Sequence, residues 1–243
     1  MTRNRPLPVI EPEDVAYVRS LVIHEDASVI VFNKPSGLAV QGGGGIGRSL
    51  DGLFVAFAKS NGKRPRLVHR LDRGTSGVVI AARTQPAAAR LSEEFATRRA
   101  KKTYLALVQG TLPDAERGRI DASLVRVEEG GRPRMLVARP RRKGAQPAVT
   151  DWIVRVRNGD AALLQAEPET GRMHQIRAHF AHADFPILGD GLYGAGTDSA
   201  PRLMLHAARL TLRHPDGRTM TFEAPVPDDF SAKARELGLE GGL

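Results

Sequence analysis

The chain has 243 residues, and 36 Lys and Arg against 27 Asp and Glu give a formal net charge of +9. Apolar residues make up 41% and charged residues 26%, the balance of a chain that can bury a core, and the length fits one large domain or two small ones. With no cysteine, disulfide scaffolds, thiolate metal sites, iron–sulfur clusters and cysteine nucleophiles are excluded together. The basic excess favours a polyanionic partner, because Lys and Arg that neutralise phosphates release counterions; a merely basic surface is the alternative. The longest apolar runs, Ser28–Phe32 and Gly77–Ala82, fall far short of the roughly 20 residues that a bilayer span needs. The N-terminus is charged and proline-broken, unlike a secretory signal, so a cytoplasmic protein without membrane association is expected.

Three prolines between Arg5 and Pro12 predict an arm or linker over residues 1–20, ahead of a single domain over 21–243. The first strand is expected at Ser28–Phe32, with Lys34–Gly37 as its turn, and a helix near Leu50–Lys59. Gly77–Ala82 is short and rich in Val and Ile, which marks a buried strand. Pro86 opens the next helix, with Ala88, Leu91 and Phe95 on one stripe and a basic end at Arg98–Lys102, before a strand at Thr103–Val108. Residues 132–143 carry six basic and no acidic side chains, which predicts an exposed loop. Trp152, Val154 and Val156 alternate with polar neighbours as in a half-buried strand. A strand near Ala161–Ala166, a helix near Met173–Ala183, and strands near Leu203–Arg213 and Thr219–Glu223 complete the chain. Several strands follow one another with no room for crossover helices. The expected fold is therefore α/β of the α+β kind, one domain on a mixed, mainly antiparallel sheet flanked by helices.

Three patterns imitate known sites. Gly42–Ser49 approaches a phosphate-binding loop, but Arg48 stands where the lysine belongs and no strand ends in a magnesium-holding aspartate, so a glycine loop near the substrate is expected instead. A nucleotide-dependent RNA remodelling enzyme built on that loop would be revealed by ATP turnover. Gly74–Gly77 resembles a nucleophile elbow but has Val78 where glycine is required. His174, His179 and His182 share a helical segment without the acidic residue of a zinc protease, and read as solvated or hydrogen-bonded histidines rather than metal ligands.

His69-Arg70-Leu71-Asp72-Arg73-Gly74-Thr75-Ser76-Gly77 sets one carboxylate among cations just before a buried strand. Cationic neighbours keep Asp72 ionised, and a strand-edge turn suits a nucleophile; an ordinary cap or surface charge is the other reading. This stretch closely resembles the signature of the RluA-type pseudouridine synthases: His-Arg-Leu-Asp, two variable residues, then Thr-Ser-Gly. Asn33–Val40, Lys102–Gly110, Thr170–His179, Pro186–Asp190 with Tyr193-Gly194, and Leu203–Ala207 resemble further blocks of that family in the same order, so the likeness runs from about residue 21 to about residue 227.

Members of that family convert uridine in RNA to pseudouridine without cofactor or metal, by detaching, rotating and rejoining the base. The resemblance makes Asp72 the catalytic carboxylate, acting either by attack on sugar or base or by assisting elimination through a glycal. It makes Tyr104 the tyrosine against the target base, suited to proton transfer during rejoining, with a core aromatic as the alternative. It makes Arg177 the arginine that pairs with the carboxylate. Arg172 lies ~140° around the predicted helix from Arg177 and is expected nearer a phosphate or the start of the helix. Leu205 would pack near the base, and His69, Arg70, Arg73, Thr75 and His174 would join Arg172 and Leu205 in holding substrate. The basic runs 98–102 and 132–143 would flank an extruded base. The small N-terminal RNA-binding domain of many ribosomal members is expected to be absent, since only about 20 residues precede the expected catalytic domain. The resemblance thus implies an RNA pseudouridine synthase working as a monomer without obligatory protein partner, on large-subunit ribosomal RNA in preference to transfer RNA. A catalytically idle RNA-binding or ribosome-assembly protein on the same fold is the rival.

Overall fold

The structure, a computed structural model, describes residues 10–42, 48–194, 196 and 198–243. In chain order the elements are α1 (Pro12–Ser20), β1 (Val22–Glu25), β2 (Val29–Lys34), α2 (Leu50–Leu53, running into a 3-10 turn at Phe54–Phe57), β3 (Arg66–Leu67), β4 (Ser76–Ala82), α3 (Gln85–Ala96) and β5 (Lys101–Gln109). There follow β6 (Arg117–Asp121), β7 (Leu124–Glu129), β8 (Arg132–Val137), β9 (Val149–Asn158), β10 (Ala161–Pro168), α4 (Gln175–His182), β11 (Leu205–Arg213), β12 (Thr219–Glu223) and α5 (Asp228–Glu236). The chain divides into two compact units, one of residues 1–100 and 211–224, the other of residues 101–210 and 225–243. The fold class is α+β, mainly antiparallel, as expected.

In the first unit β4 pairs antiparallel with both β2 and β3, and β1 pairs with β2 through a register shift between Val22 and His24. All seven residues of β4 are buried, which is why this segment reads as an unbroken apolar run rather than an alternating one. Phe32 of β2 is fully buried between Phe54 (centroids 5.4 Å apart, stacked) and Phe57 (5.6 Å, edge-on), a burial that contributes about 1.5–3 kcal/mol. Thr84 caps α3 by accepting from the Ala87 amide, Pro86 fits its first turn, and Ala87, Leu91 and Glu94 form its buried face. Of the expected Ala88, Leu91 and Phe95 stripe only Leu91 is fully buried; Ala87 and Glu94 complete the face, while Phe95, partly buried, stacks on His69. Burial pushes the Glu94 carboxyl up, but hydrogen bonds from the Arg99 guanidinium and the Arg213 amide outweigh it and hold Glu94 below the usual glutamate value.

The arm expected over residues 1–20 is, from Pro12 onward, the helix α1. Pro12 sits at its first position, where a missing amide hydrogen costs nothing, and Glu13 and Asp14 complement the positive end of the helix dipole. Asp14 is ion-paired with Arg48, whose guanidinium also lies 4.0 Å from the centre of the Tyr17 ring. Of the glycine-rich segment 42–49, residues 43–47 lie outside the described residues.

In the second unit β10 pairs with β5 and β9, and β9 with β6, all antiparallel. Leu107, Leu163, Phe180, Met204 and Phe230 meet in its core. The loop expected over residues 132–143 is half strand: β8 pairs with β7 from Leu124↔Val137 to Glu129↔Arg132. Met135 is turned in to 4% exposure against Leu124, and the charges around it hid this alternation; Arg139, Arg141, Arg142 and Lys143 beyond it are exposed. Among the described residues no helix is long and apolar enough to cross a membrane.

Candidate active site

In the first unit two turns are laced together. The Thr75 amide donates to the Asp72 carbonyl at 3.1 Å, closing a tight turn that Leu71, 6% exposed, anchors in the core. Facing it, Gly37 takes φ +85°, its amide donates to the Arg73 carbonyl at 2.8 Å, and Arg73 Nε returns a bond to the Gly37 carbonyl at 2.9 Å. Ser36 Oγ donates to the Gly74 carbonyl at 2.7 Å. At the centre Lys34 has no exposed surface, and its Nζ donates to the carbonyls of Pro35 (2.9 Å), Leu38 (2.8 Å) and Arg73 (3.2 Å). Three converging carbonyls need three donors, which an ammonium supplies and an apolar side chain does not. Asp72 is half-buried on this lock, with Arg70 and Arg73 exposed beside it. His69 accepts from the Ile80 amide at 3.0 Å and stacks on Phe95 with ring centres 4.5 Å apart, so its contacts here tie the turn to β4 and α3. Thr75, 2% exposed, is enclosed in the same unit.

In the second unit Tyr104 stands on β5 opposite Ala166 of β10 and packs against the core, in which Leu205 is 3% exposed. The path into α4 is fixed by Gln175. Its Oε1 accepts from the Thr170 hydroxyl (2.6 Å) and the Arg172 amide (3.1 Å), and its Nε2 donates to the Val149 carbonyl (2.8 Å) and Thr150 Oγ1 (3.0 Å). His174 takes the left-handed conformation, φ 51°, just before the first helical residue. The helix thus begins later than expected, and Arg172 lies ahead of it with Nε bonded to the Pro147 carbonyl (3.1 Å), so the helical angle between Arg172 and Arg177 does not apply.

Arg177 on α4 meets Asp190 in a two-pronged ion pair, Nε to Oδ2 and Nη2 to Oδ1, both 2.8 Å. Asp190 is 1% exposed, and its Oδ1 also accepts from the amides of Leu192 (3.0 Å) and Tyr193 (3.2 Å). The Arg177 guanidinium lies 5.0 Å from the centre of the Tyr193 ring. The Tyr193 hydroxyl accepts from the Met135 amide (2.8 Å) and contacts His174 Nδ1 (3.1 Å), while burial pushes its pKa up. Two attachments fix the guanidinium as a positive charge of set orientation. Lys34, Gln175, Asp190 and Tyr193 had no role assigned from sequence; the available signal was a polar residue inside each matching block.

The three histidines expected to be solvated or hydrogen-bonded include one fully buried member. His179 Nε2 donates to the Ala122 carbonyl and Nδ1 accepts from the Thr150 hydroxyl, both 2.9 Å. Burial lowers its pKa below the ordinary 6.5, assisted by His182 and opposed by the Ala122 bond. The folded state therefore binds this proton less readily than the unfolded chain. Its stabilising effect is complete above about pH 6.5 and declines as pH falls toward the depressed folded value, with a slope of at most about 1.4 kcal/mol per pH unit. Denaturant unfolding at pH 5 and pH 7.5 should show this decline in the parent and a flatter response in His179→Gln; equal slopes would remove His179 as the cause.

The expected residues thus fall into two groups, each described within its own unit: the Asp72 turn in the first, and Tyr104 and the Arg177–Asp190 pair in the second. Residues 28–182 match the family model described as RNA pseudouridylate synthase. The chain is 37% identical over 238 residues to ribosomal large subunit pseudouridine synthase D of Neisseria meningitidis, covering 91% of this chain and 62% of that protein. It therefore spans somewhat less than two thirds of that relative's length. It is 35% identical over 212 residues to an uncharacterized RNA pseudouridine synthase of Zymomonas mobilis, covering 86% of this chain and 95% of that one. Among solved structures, human RNA pseudouridylate synthase domain containing 4 superposes with a TM-score of 0.77 at 26% identity, covering 93% of this chain and 97% of the other. A family match over more than half the chain, a relative matched along nearly its whole length and a shared fold agree: the chain belongs to the RNA pseudouridylate synthase family.

Proposed function

We propose that the protein isomerises uridine to pseudouridine in RNA, and that its substrate is large-subunit ribosomal RNA in the cytoplasm. The observation that carries this reading is the locked turn around Lys34, which holds the Asp72 main chain in place while leaving its carboxylate at a half-buried position. In the reaction the N1–C1′ glycosidic bond breaks, the base turns, and a C5–C1′ bond forms; C5 loses a proton and N1 gains one. Asp72 supplies the carboxylate that opens the glycosidic bond, by attack or by assisting elimination. The Tyr104 hydroxyl relays the proton that leaves C5, releasing its own to water as it takes that one up, while N1 is protonated from water, so no net proton is gained or lost; Arg177, oriented by Asp190, supplies fixed positive charge to the reacting centre. His69 serves as a positioning residue behind the Asp72 turn, while Arg70, Arg73, Arg172 and His174 face the RNA. The names of the Neisseria relative and its kind support ribosomal RNA as substrate.

The test is pseudouridine mapping of total RNA from cells with and without the gene, followed by restoration with the purified protein on large-subunit ribosomal RNA and on transfer RNA. A ribosomal site that disappears with the gene supports the proposal; a site lost from transfer RNA alone moves the substrate, and no lost site on any RNA leaves an idle binder. Tyr104→Phe keeps the ring and deletes the hydroxyl, so RNA affinity should persist while turnover drops by about 10²–10⁴-fold. Near-normal turnover would reduce Tyr104 to a packing residue.

A further inference from the structure

Within the first unit a cleft of about 890 Å³ opens between the segment 59–67 and the start of α3. Five cations line it, Lys59, Lys63, Arg64, Arg66 and Arg83, against the single carboxylate of Asp51. Arg64 is 4.0 Å from Asp51, and Arg83 is paired with Glu25 at 2.9 Å. Lys59, Lys63 and Arg66 are exposed, and among the described residues none has a carboxylate within ion-pairing distance. The segment that presents them is ordered. The Lys59 amide donates to the Lys63 carbonyl and the Gly62 amide to the Lys59 carbonyl, both at 2.8 Å, while the Lys63 amide donates to Asn61 Oδ1 at 3.1 Å and Gly62 takes φ +75°. A turn this well bonded fixes the main chain that carries these cations, so they present one basic patch without rearrangement, which favours an anion.

From these observations we infer that the cleft binds the phosphates of an RNA strand. The inference rests on RNA as the substrate and adds where the strand runs. Arg66 lies six residues before Asp72, at most about 22 Å of chain, so a strand whose target base reaches the Asp72 turn carries phosphates within reach of the cleft. The lining offers charge and no exposed aromatic ring, which suits backbone contact without reading of bases.

The experiment uses the full chain with Lys59→Gln, Lys63→Gln and Arg66→Gln combined, beside a charge-keeping Lys59→Arg, Lys63→Arg, Arg66→Lys form. Binding of a short single-stranded RNA is measured across a salt series, with inorganic phosphate and poly-glutamate as competitors and thermal melting as a check on folding. Each lost contact to a single strand lowers the slope of log affinity against log salt by about 0.7, so the neutralised form should lose about 2 in slope. It should also bind about tenfold or more weakly near 50 mM salt, while the charge-keeping form follows the parent. If the triple variant melts early, Lys63→Gln alone should still lose about 0.7 in slope. An unchanged slope overturns the inference. So does displacement of the RNA by micromolar inorganic phosphate, which would mark a small-anion site, or by poly-glutamate as readily as by unlabelled RNA, which would mark a surface for acidic protein. Isomerisation is assayed separately at saturating RNA, where the variant should keep the parental rate. A parent that binds RNA through this cleft but isomerises nothing defeats the functional proposal alone; an active parent with an unchanged slope defeats the cleft alone.

Discussion

Asp72→Asn should reduce pseudouridine formation below detection while leaving a folded protein that still binds RNA. The substitution is nearly isosteric and removes the charge that attack or assisted elimination requires. The turn itself should survive, because the bonds that close it end on main-chain carbonyls and do not use the Asp72 side chain: Thr75 amide to Asp72 carbonyl, and Gly37 amide and Lys34 Nζ to the Arg73 carbonyl. Thermal melting should place the variant within about 1 kcal/mol of the parent. Removing one negative charge near RNA phosphates should leave affinity equal or higher. Isomer analysis of uridine in the bound RNA reads the result, and appreciable product from this variant would strip Asp72 of its role.

Asp190→Ala should cost about 3–5 kcal/mol of stability, the usual consequence of removing one partner of a buried ion pair. The Asp190 side chain has no exposure and that of Arg177 has 12%, so little water is available to replace the lost carboxylate. The amides of Leu192 and Tyr193 lose an acceptor as well. Asp190→Asn should recover part of the loss, because its side-chain oxygen can still accept from those amides. Urea unfolding of the three proteins measures the ordering; an alanine variant within about 1 kcal/mol of the parent would show that the pair does not hold this region.

The sequence displayed the strands whose burial is continuous. Val29–Phe32 and Ser76–Ala82 are apolar on both faces, and no charge interrupts the run. It concealed elements held by one or two residues: β8, where Met135 is buried and Val137 partly so among arginines, and α5, whose buried face is Phe230 and Ala234. Edge strand β1 was hidden because only every second residue is even partly covered. The Asp72 turn stood out because cations crowd around one carboxylate within a stretch that resembles a family signature. Lys34 was not, since lysine is almost never fully enclosed and only three converging carbonyls, made by turns 39 residues apart, explain it. The Arg177 partner Asp190 stands 13 residues further on, beyond the end of the helix, a spacing to which no periodic rule applies.

The first unit is discontinuous along the chain: residues 101–210 are synthesised between its two parts. Contacts that complete it join the ends across that gap. His214 lies 3.1 Å from Asp26, Phe222 lies 5.1 Å from His24 by ring centres, and the Arg213 amide reaches Glu94 at 3.2 Å. At translation rates of about 5–20 residues per second, the leading segment waits on the order of ten seconds for these partners. During that interval the carboxylates of Asp26 and Glu94 lack bonds that the finished protein gives them. Until residues 211–224 emerge, the first hundred residues hold the fully apolar β4 in a unit that is not yet complete.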